Sequence, residues 1–103
     1  MDKLCPNVER AFSLLGKRWN GLIIYVLLKG PKRFKDLTES IPGISQKMLA
    51  DRLKELEEVG IVKRNVYPET PVRIEYALTD KGQSLENVMM EAQKWAYQYQ
   101  TEC

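Results

Sequence analysis

Apolar residues recur along this chain at helical intervals, then at strand intervals, then at helical intervals again. Over residues 7–15, Val8, Ala11, Phe12 and Leu15 fall on one helical face, with Asn7 placed to cap the start and Gly16 to end it. Trp19, Leu22, Ile23, Val26 and Leu27 predict a second helix over residues 18–29, which Gly30-Pro31 stops. Phe34, Leu37 and Ile41 mark a short third helix over residues 33–40, and Ile41-Pro42-Gly43-Ile44 reads as a turn. Ser45 can cap a fourth helix, its hydroxyl accepting from an otherwise unpaired backbone N–H. Leu49, Leu53 and Leu56 then form a narrow apolar stripe, while Gln46, Lys47, Asp51 and Arg52 point elsewhere. A helix with a polar, basic free face at its start is shaped for insertion. For a small basic domain the leading candidate is the major groove of DNA.

After Gly60 the period shortens. Residues 61–67 and 72–78 are β-rich and roughly alternating, and Pro68-Glu69-Thr70-Pro71 between them must be a loop tip. Thr79 or Asp80 caps a last helix over about residues 80–100, where Leu85, Val88, Met89, Ala92, Trp95, Ala96 and Tyr99 return at three- and four-residue steps. The pattern predicts an α+β, mainly α fold: a single winged helix-turn-helix domain over residues 1–103. The helix-turn-helix falls at about 33–59 and the wing at about 61–78. The long last helix has more apolar surface than its own domain needs. Together with the helix at 7–15 it is expected to bury that surface against a second copy, making a homodimer; folding back on its own core is the alternative.

Charge changes this picture only through its distribution. The net charge is +2 over 103 residues, which announces nothing. Yet Lys17, Arg18, Lys29, Lys32, Arg33, Lys35, Lys47, Arg52 and Lys54 outnumber Asp36, Glu39 and Asp51 between residues 17 and 54. Toward the end, Glu86, Glu91 and Glu102 outweigh Lys94. That asymmetry suits one face for phosphates, and it equally suits lysines that only solvate helix surfaces. The apolar run at 22–28 is too short to span a membrane, and no signal-peptide pattern opens the chain. Two cysteines near opposite ends make no disulfide framework, so a reduced, cytoplasmic setting is expected, nucleoid-associated when DNA is bound.

Catalytic chemistry has little to work with. There is no histidine, two cysteines do not complete a tetrahedral zinc site, and no phosphate-cradling loop or nucleophile elbow occurs. Carboxylates such as Glu55, Glu57 and Glu58 read as solvated helix positions. No enzyme, metal or cofactor is expected. For double-stranded DNA the roles are concrete. Ser45 caps the reading helix; Gln46 can pair bidentately with adenine and Lys47 can donate to guanine. Arg52 lies within reach of a phosphate or of Asp51 or Asp36. Lys17, Lys32, Arg33 and Lys35 suit phosphate contacts, and Lys63, Arg64 and Arg73 border the wing. A dimer would present two reading helices about 34 Å apart to a near-palindromic operator. A protein-interaction module is the alternative, and salt dependence separates the two, because phosphate contacts release counterions. A third reading is a noncovalent ligand pocket lined by Trp19, Tyr25, Trp95 and Tyr99, whose spacing also fits core packing.

Cys5 stands just before the first helix, where backbone dipoles favour negative charge, with Lys3 and Arg10 nearby in sequence. A thiolate there could add to a quinone or be oxidised; a small structural cysteine is the other reading.

Several motifs carry a family resemblance: Leu14-Leu15-Gly16-Lys17-Arg18-Trp19, Gly30-Pro31-Lys32-Arg33-Phe34-Lys35-Asp36-Leu37, Ile41-Pro42-Gly43-Ile44-Ser45, Arg52-Leu53-Lys54-Glu55-Leu56-Glu57, Gly60-Ile61-Val62 and Glu75-Tyr76-Ala77-Leu78-Thr79. In this order they resemble the HxlR-type regulators, within the wider MarR-like winged-helix group. The resemblance implies a bacterial, dimeric transcriptional regulator without enzymatic activity. Cys5-Pro6 is similar to the sensing cysteine of the family's redox-responsive branch, whose repressors answer quinones, diamide or other electrophiles. In that branch a cysteine near the C-terminus pairs with it, a position matched by Cys103. The wing departs from the family, since Glu69-Thr70-Pro71-Val72 lacks a double proline.

Overall fold

Leucines three and four residues apart build the centre of the molecule. In the computed structural model, which describes residues 3–99, the elements run α1 (Pro6–Gly16), α2 (Asn20–Leu27), α3 (Phe34–Ser40), α4 (Gln46–Glu58), β1 (Val62–Tyr67), β2 (Arg73–Leu78), α5 (Asp80–Gln83) and α6 (Glu86–Tyr99). Leu49, Leu53 and Leu56 of α4 are buried against Ile23, Ile24 and Leu27 of α2 and Leu37 and Ile41 of the α3 end, with Ile61 and Val62 closing the core. Burying this continuous apolar surface is what holds α2, α3 and α4 together.

The two strands pair antiparallel from Val62↔Leu78 to Tyr67↔Arg73. Lys32 adds a short third rung: its N–H donates to the Tyr76 carbonyl at 2.9 Å and its carbonyl accepts from the Tyr76 N–H at 2.8 Å. This ties the wing to the entrance of α3. The mainly helical winged fold expected from the pattern is therefore the fold observed.

The main differences from the sequence expectation fall at helix boundaries. The first helix begins at Pro6, so its N-cap is Cys5 rather than Asn7. Proline suits the first helical position because its φ is preset and its missing N–H is not needed there. The Asn7 side chain instead accepts from Arg10 Nη1 at 3.0 Å. The second helix is shorter than expected at both ends: it starts at Asn20, because Trp19 has φ +81° and breaks the helical path, and it ends at Leu27 rather than Lys29. The predicted single last helix is split. Thr79 caps the short α5, accepting from the Gly82 N–H at 3.1 Å, and α6 starts afresh at Glu86. Gly82 packs so closely on the Ile61 carbonyl oxygen that a β-carbon would collide with it.

Candidate nucleic-acid interface

Ser45 fixes the start of α4 as its sequence position predicts. The Met48 N–H donates to its hydroxyl at 3.0 Å, and the Leu49 N–H donates to its carbonyl at 2.9 Å. With the leucine stripe facing inward, the helical rotation turns Gln46, Lys47, Ala50, Asp51 and Lys54 to solvent. Lys47 meets Asp51 at 3.1 Å, a pair one turn apart in which Lys47 stays 87% exposed. Such a pair is weak in water and exchanges readily for a phosphate or a base edge. Gln46 and Lys35 have no side-chain hydrogen bond to another of the described residues. The start of α4 is thus a capped, exposed helix end with an uncommitted amide and a loosely held ammonium.

Other predicted contacts are tied up inside the chain. Lys17 Nζ lies 2.9 Å from Glu55, and Arg52 Nη1 reaches the same carboxylate at 3.1 Å. Arg52 Nε also donates to the Arg18 carbonyl at 3.1 Å, leaving its side chain 14% exposed. Its partner is therefore Glu55, not Asp51 or Asp36. The hydrogen bond from Lys17, helped by Arg52, holds the Glu55 carboxyl below the usual carboxylate range, although partial burial pulls the other way. Arg73 of the wing is gripped by Glu69 at 2.7 Å and Glu75 at 2.6 Å, and its guanidinium lies 4.0 Å from the centre of the Tyr67 ring. Those carboxylates, Glu69 first, push its pKa up further. Lys63 and Arg64 are exposed on β1, while the Arg33 N–H donates to Asp36 Oδ2 at 3.3 Å to begin α3.

Sequence reading missed Glu55 as a junction. Lys17 lies 38 residues away, so no local pattern could pair them. It also missed Gln93, whose Nε2 donates to the Tyr25 hydroxyl at 2.6 Å and links α6 to α2. The suggested four-aromatic pocket divides in two. Trp19 and Tyr25 line a cleft with Val88, Met89 and Ala92, whereas Trp95 and Tyr99 lean on each other with ring centres 5.6 Å apart. Among the described residues no group of acidic, histidine or cysteine side chains could hold a metal ion, and no helix is long and apolar enough to cross a membrane.

Cys5 is a free, exposed thiol at the cap of α1. The nearby guanidinium of Arg10 is turned to Asn7. Cys103 lies outside the described residues. Beside Cys5, α1 has no buried residue: Val8 is exposed and Phe12 is 70% exposed. Trp95 and Tyr99 on α6 are exposed at 61% and 63%. The terminal helices therefore hold large apolar side chains that the chain alone does not cover.

Comparison with known proteins agrees with this architecture. The family model described as HxlR-like helix-turn-helix matches residues 14–103. The HTH-type transcriptional regulator YodB of Bacillus subtilis (strain 168) is 66% identical over 98 residues, covering 95% of this chain and 88% of YodB. The reduced form of YodB superposes with a TM-score of 0.84 at 64% identity, over 95% of this chain and 96% of that one. A diamide-treated form gives 0.79 at 64% identity over 95% and 97%, and a quinone-bound form 0.79 at 60% identity over 93% and 100%. With a cap-fixed helix presented outward, a paired wing beside it and relatives that are regulators rather than enzymes, this chain belongs to the HxlR-like helix-turn-helix family of DNA-binding transcriptional regulators.

Proposed function

We propose that the chain is a cytoplasmic, homodimeric repressor that leaves its near-palindromic operator when Cys5 is modified. The observation that carries this reading is the placement of Cys5. A helix N-cap is normally filled by an oxygen-bearing side chain, yet here a thiol stands exposed and makes no capping bond. The thiol takes no part in capping and stands open to solvent, so electrophiles and oxidants can reach it. It lies at the edge of the uncovered α1 face, where a covalent change would meet whatever covers that face. The diamide-treated and quinone-bound forms of YodB add support from a relative.

In DNA recognition, Gln46 and Lys47 read base edges while Ser45 keeps the helix start in register. Arg33, Lys35, Lys63 and Arg64 serve phosphates. Lys17, Arg52 and Arg73 act by holding carboxylates and so shape the surface that DNA meets. Two copies joined through α1 and α6 engage two half-sites together, so a small relative rotation weakens both contacts at once.

With a quinone, the Cys5 thiolate adds to a ring carbon. A C–S bond forms, the ring electrons shift to the carbonyl oxygen, and protonation leaves a hydroquinone thioether. With diamide, two thiols give up two electrons and two protons, forming a disulfide and a hydrazine; Cys103 of a second copy supplies the other thiol. The test is a gel shift on a duplex selected by the wild-type protein, before and after brief quinone or diamide treatment. Cys5→Ala is expected to bind and to stay bound after treatment. Release equal to the wild type removes Cys5 from the mechanism.

A further inference from the structure

The short joint between α1 and α2 reaches further than its length suggests. Asn20 is 2% exposed and donates through Nδ2 to the Leu14 carbonyl at 2.9 Å, while its backbone N–H donates to the Lys17 carbonyl at 3.2 Å. These bonds lock the end of α1 to the start of α2. Trp19, between them, has φ +81°, a left-handed conformation that a residue with a β-carbon adopts only when its surroundings impose it. The imposed turn carries the indole toward the helix-turn-helix: a β-carbon placed on Gly43, in the turn before α4, would lie 3.8 Å from the ring tip. The Arg18 guanidinium covers the same ring at 4.5 Å.

From this joint two contacts extend to α4 itself. Lys17 meets Glu55 at 2.9 Å, and the Arg18 carbonyl accepts from Arg52 Nε at 3.1 Å. Arg52 closes the loop by pairing with Glu55 at 3.1 Å. Glu55 therefore receives one cation from the α1–α2 joint and one from its own helix. Of α1 only Leu14 and Leu15, half-buried at its end, pack on the core, and these bonds add a direct tie from that same end to α4.

We propose that Glu55 is a positioning residue for DNA binding, setting the angle of α4 against α1 through Lys17 and Arg52. Movement of α1 then reaches the reading helix through the joint as well as through the separation of two copies. This inference rests on the reading of α4 as the helix that faces DNA.

Charge and position predict opposite signs, which makes the test sharp. Glu55→Gln removes a negative charge and frees two cations, so charge alone would tighten binding to a polyanion. A positioning role predicts affinity weaker by about three- to tenfold, the scale of losing a partly exposed ion pair in one or both copies. The measurement is titration of a wild-type-selected duplex, with thermal unfolding followed in parallel to show that each variant is folded. Lys17→Met is expected to weaken binding similarly, and the double variant to be no weaker than the weaker single one, because the Lys17–Glu55 contact is already lost in either single variant. Tighter or unchanged binding by Glu55→Gln, or additive losses in the double variant, overturns the proposal. A joint Gln46→Ala and Lys47→Ala variant tests the reading helix separately. If it loses affinity while Glu55→Gln does not, coupling alone fails; if it binds normally, the role of α4 fails and the coupling with it.

Discussion

Helices α4 and α1 are both amphipathic, but they meet opposite fates. The inward leucines of α4, Leu49, Leu53 and Leu56, are at most 1% exposed, because they share one core with residues of α2, the α3 end and β1. The corresponding face of α1 is open: Val8 is 42% and Phe12 70% exposed, and only Leu14 and Leu15 at its end reach the core. The same period of apolar residues thus marks a face that must be buried without naming the partner that buries it. For α4 the partner is its own chain. For α1, and for Trp95 and Tyr99 of α6, the reading of a second copy follows, since exposed aromatics of this size cost solubility unless covered.

The largest expected effect separates the two faces. Leu53→Ala removes packed atoms from a site already enclosed on all sides and is expected to cost about 2–5 kcal/mol of stability, read from urea or thermal unfolding. Phe12→Arg is expected to preserve the helical circular-dichroism spectrum and to convert the proposed dimer to a monomer in sedimentation equilibrium. A Phe12→Arg protein that unfolds as readily as Leu53→Ala would erase the distinction between a face closed within the chain and one closed between chains.

What was readable in the sequence follows the same division. Helix α4, its Ser45 cap and the hairpin rest on signals within a few residues: a cap, a leucine stripe and a proline-bounded turn. Each was legible because neighbours in sequence are also neighbours in space. The close packing of Gly82 on Ile61, the seating of Trp19 beside Gly43 and the Lys17–Glu55 pair depend on segments far apart in sequence. A charge count finds Lys17, Arg52 and Arg73 as cations but cannot see the carboxylates that occupy them. Gly82 is the clearest case, because the helical pattern runs through it while the Ile61 carbonyl oxygen forbids a side chain there. Gly82→Ala is therefore expected to cost about 1–3 kcal/mol through overpacking. Gly16→Ala, with nothing within 4 Å of the added carbon, is expected to be neutral or stabilising by less than about 1 kcal/mol. Equal effects from the two, measured by thermal unfolding, would mean that the close approach of Gly82 to the Ile61 carbonyl carries no packing cost.

The smallest effects compare the helix starts. Ser45 caps α4 with a bond to the Met48 N–H at 3.0 Å, whereas Cys5 at the equivalent position of α1 makes none. Ser45→Ala is expected to lower stability by about 1 kcal/mol and to speed hydrogen exchange at the Met48 amide, which loses its acceptor. Cys5→Ser should act in the opposite direction. A hydroxyl can accept from the first turn of α1 where the thiol does not, so the helix start should gain a few tenths of a kcal/mol and exchange more slowly. That gain also dictates the choice of variant for the release experiment. A serine that strengthens α1 could hold the proposed dimer on DNA for a reason unrelated to thiol chemistry, whereas alanine removes the sulfur without adding a cap. If Cys5→Ser and Cys5→Ala resist release equally while only the serine variant slows exchange in α1, retention on the operator follows from the missing thiol and not from the reinforced helix.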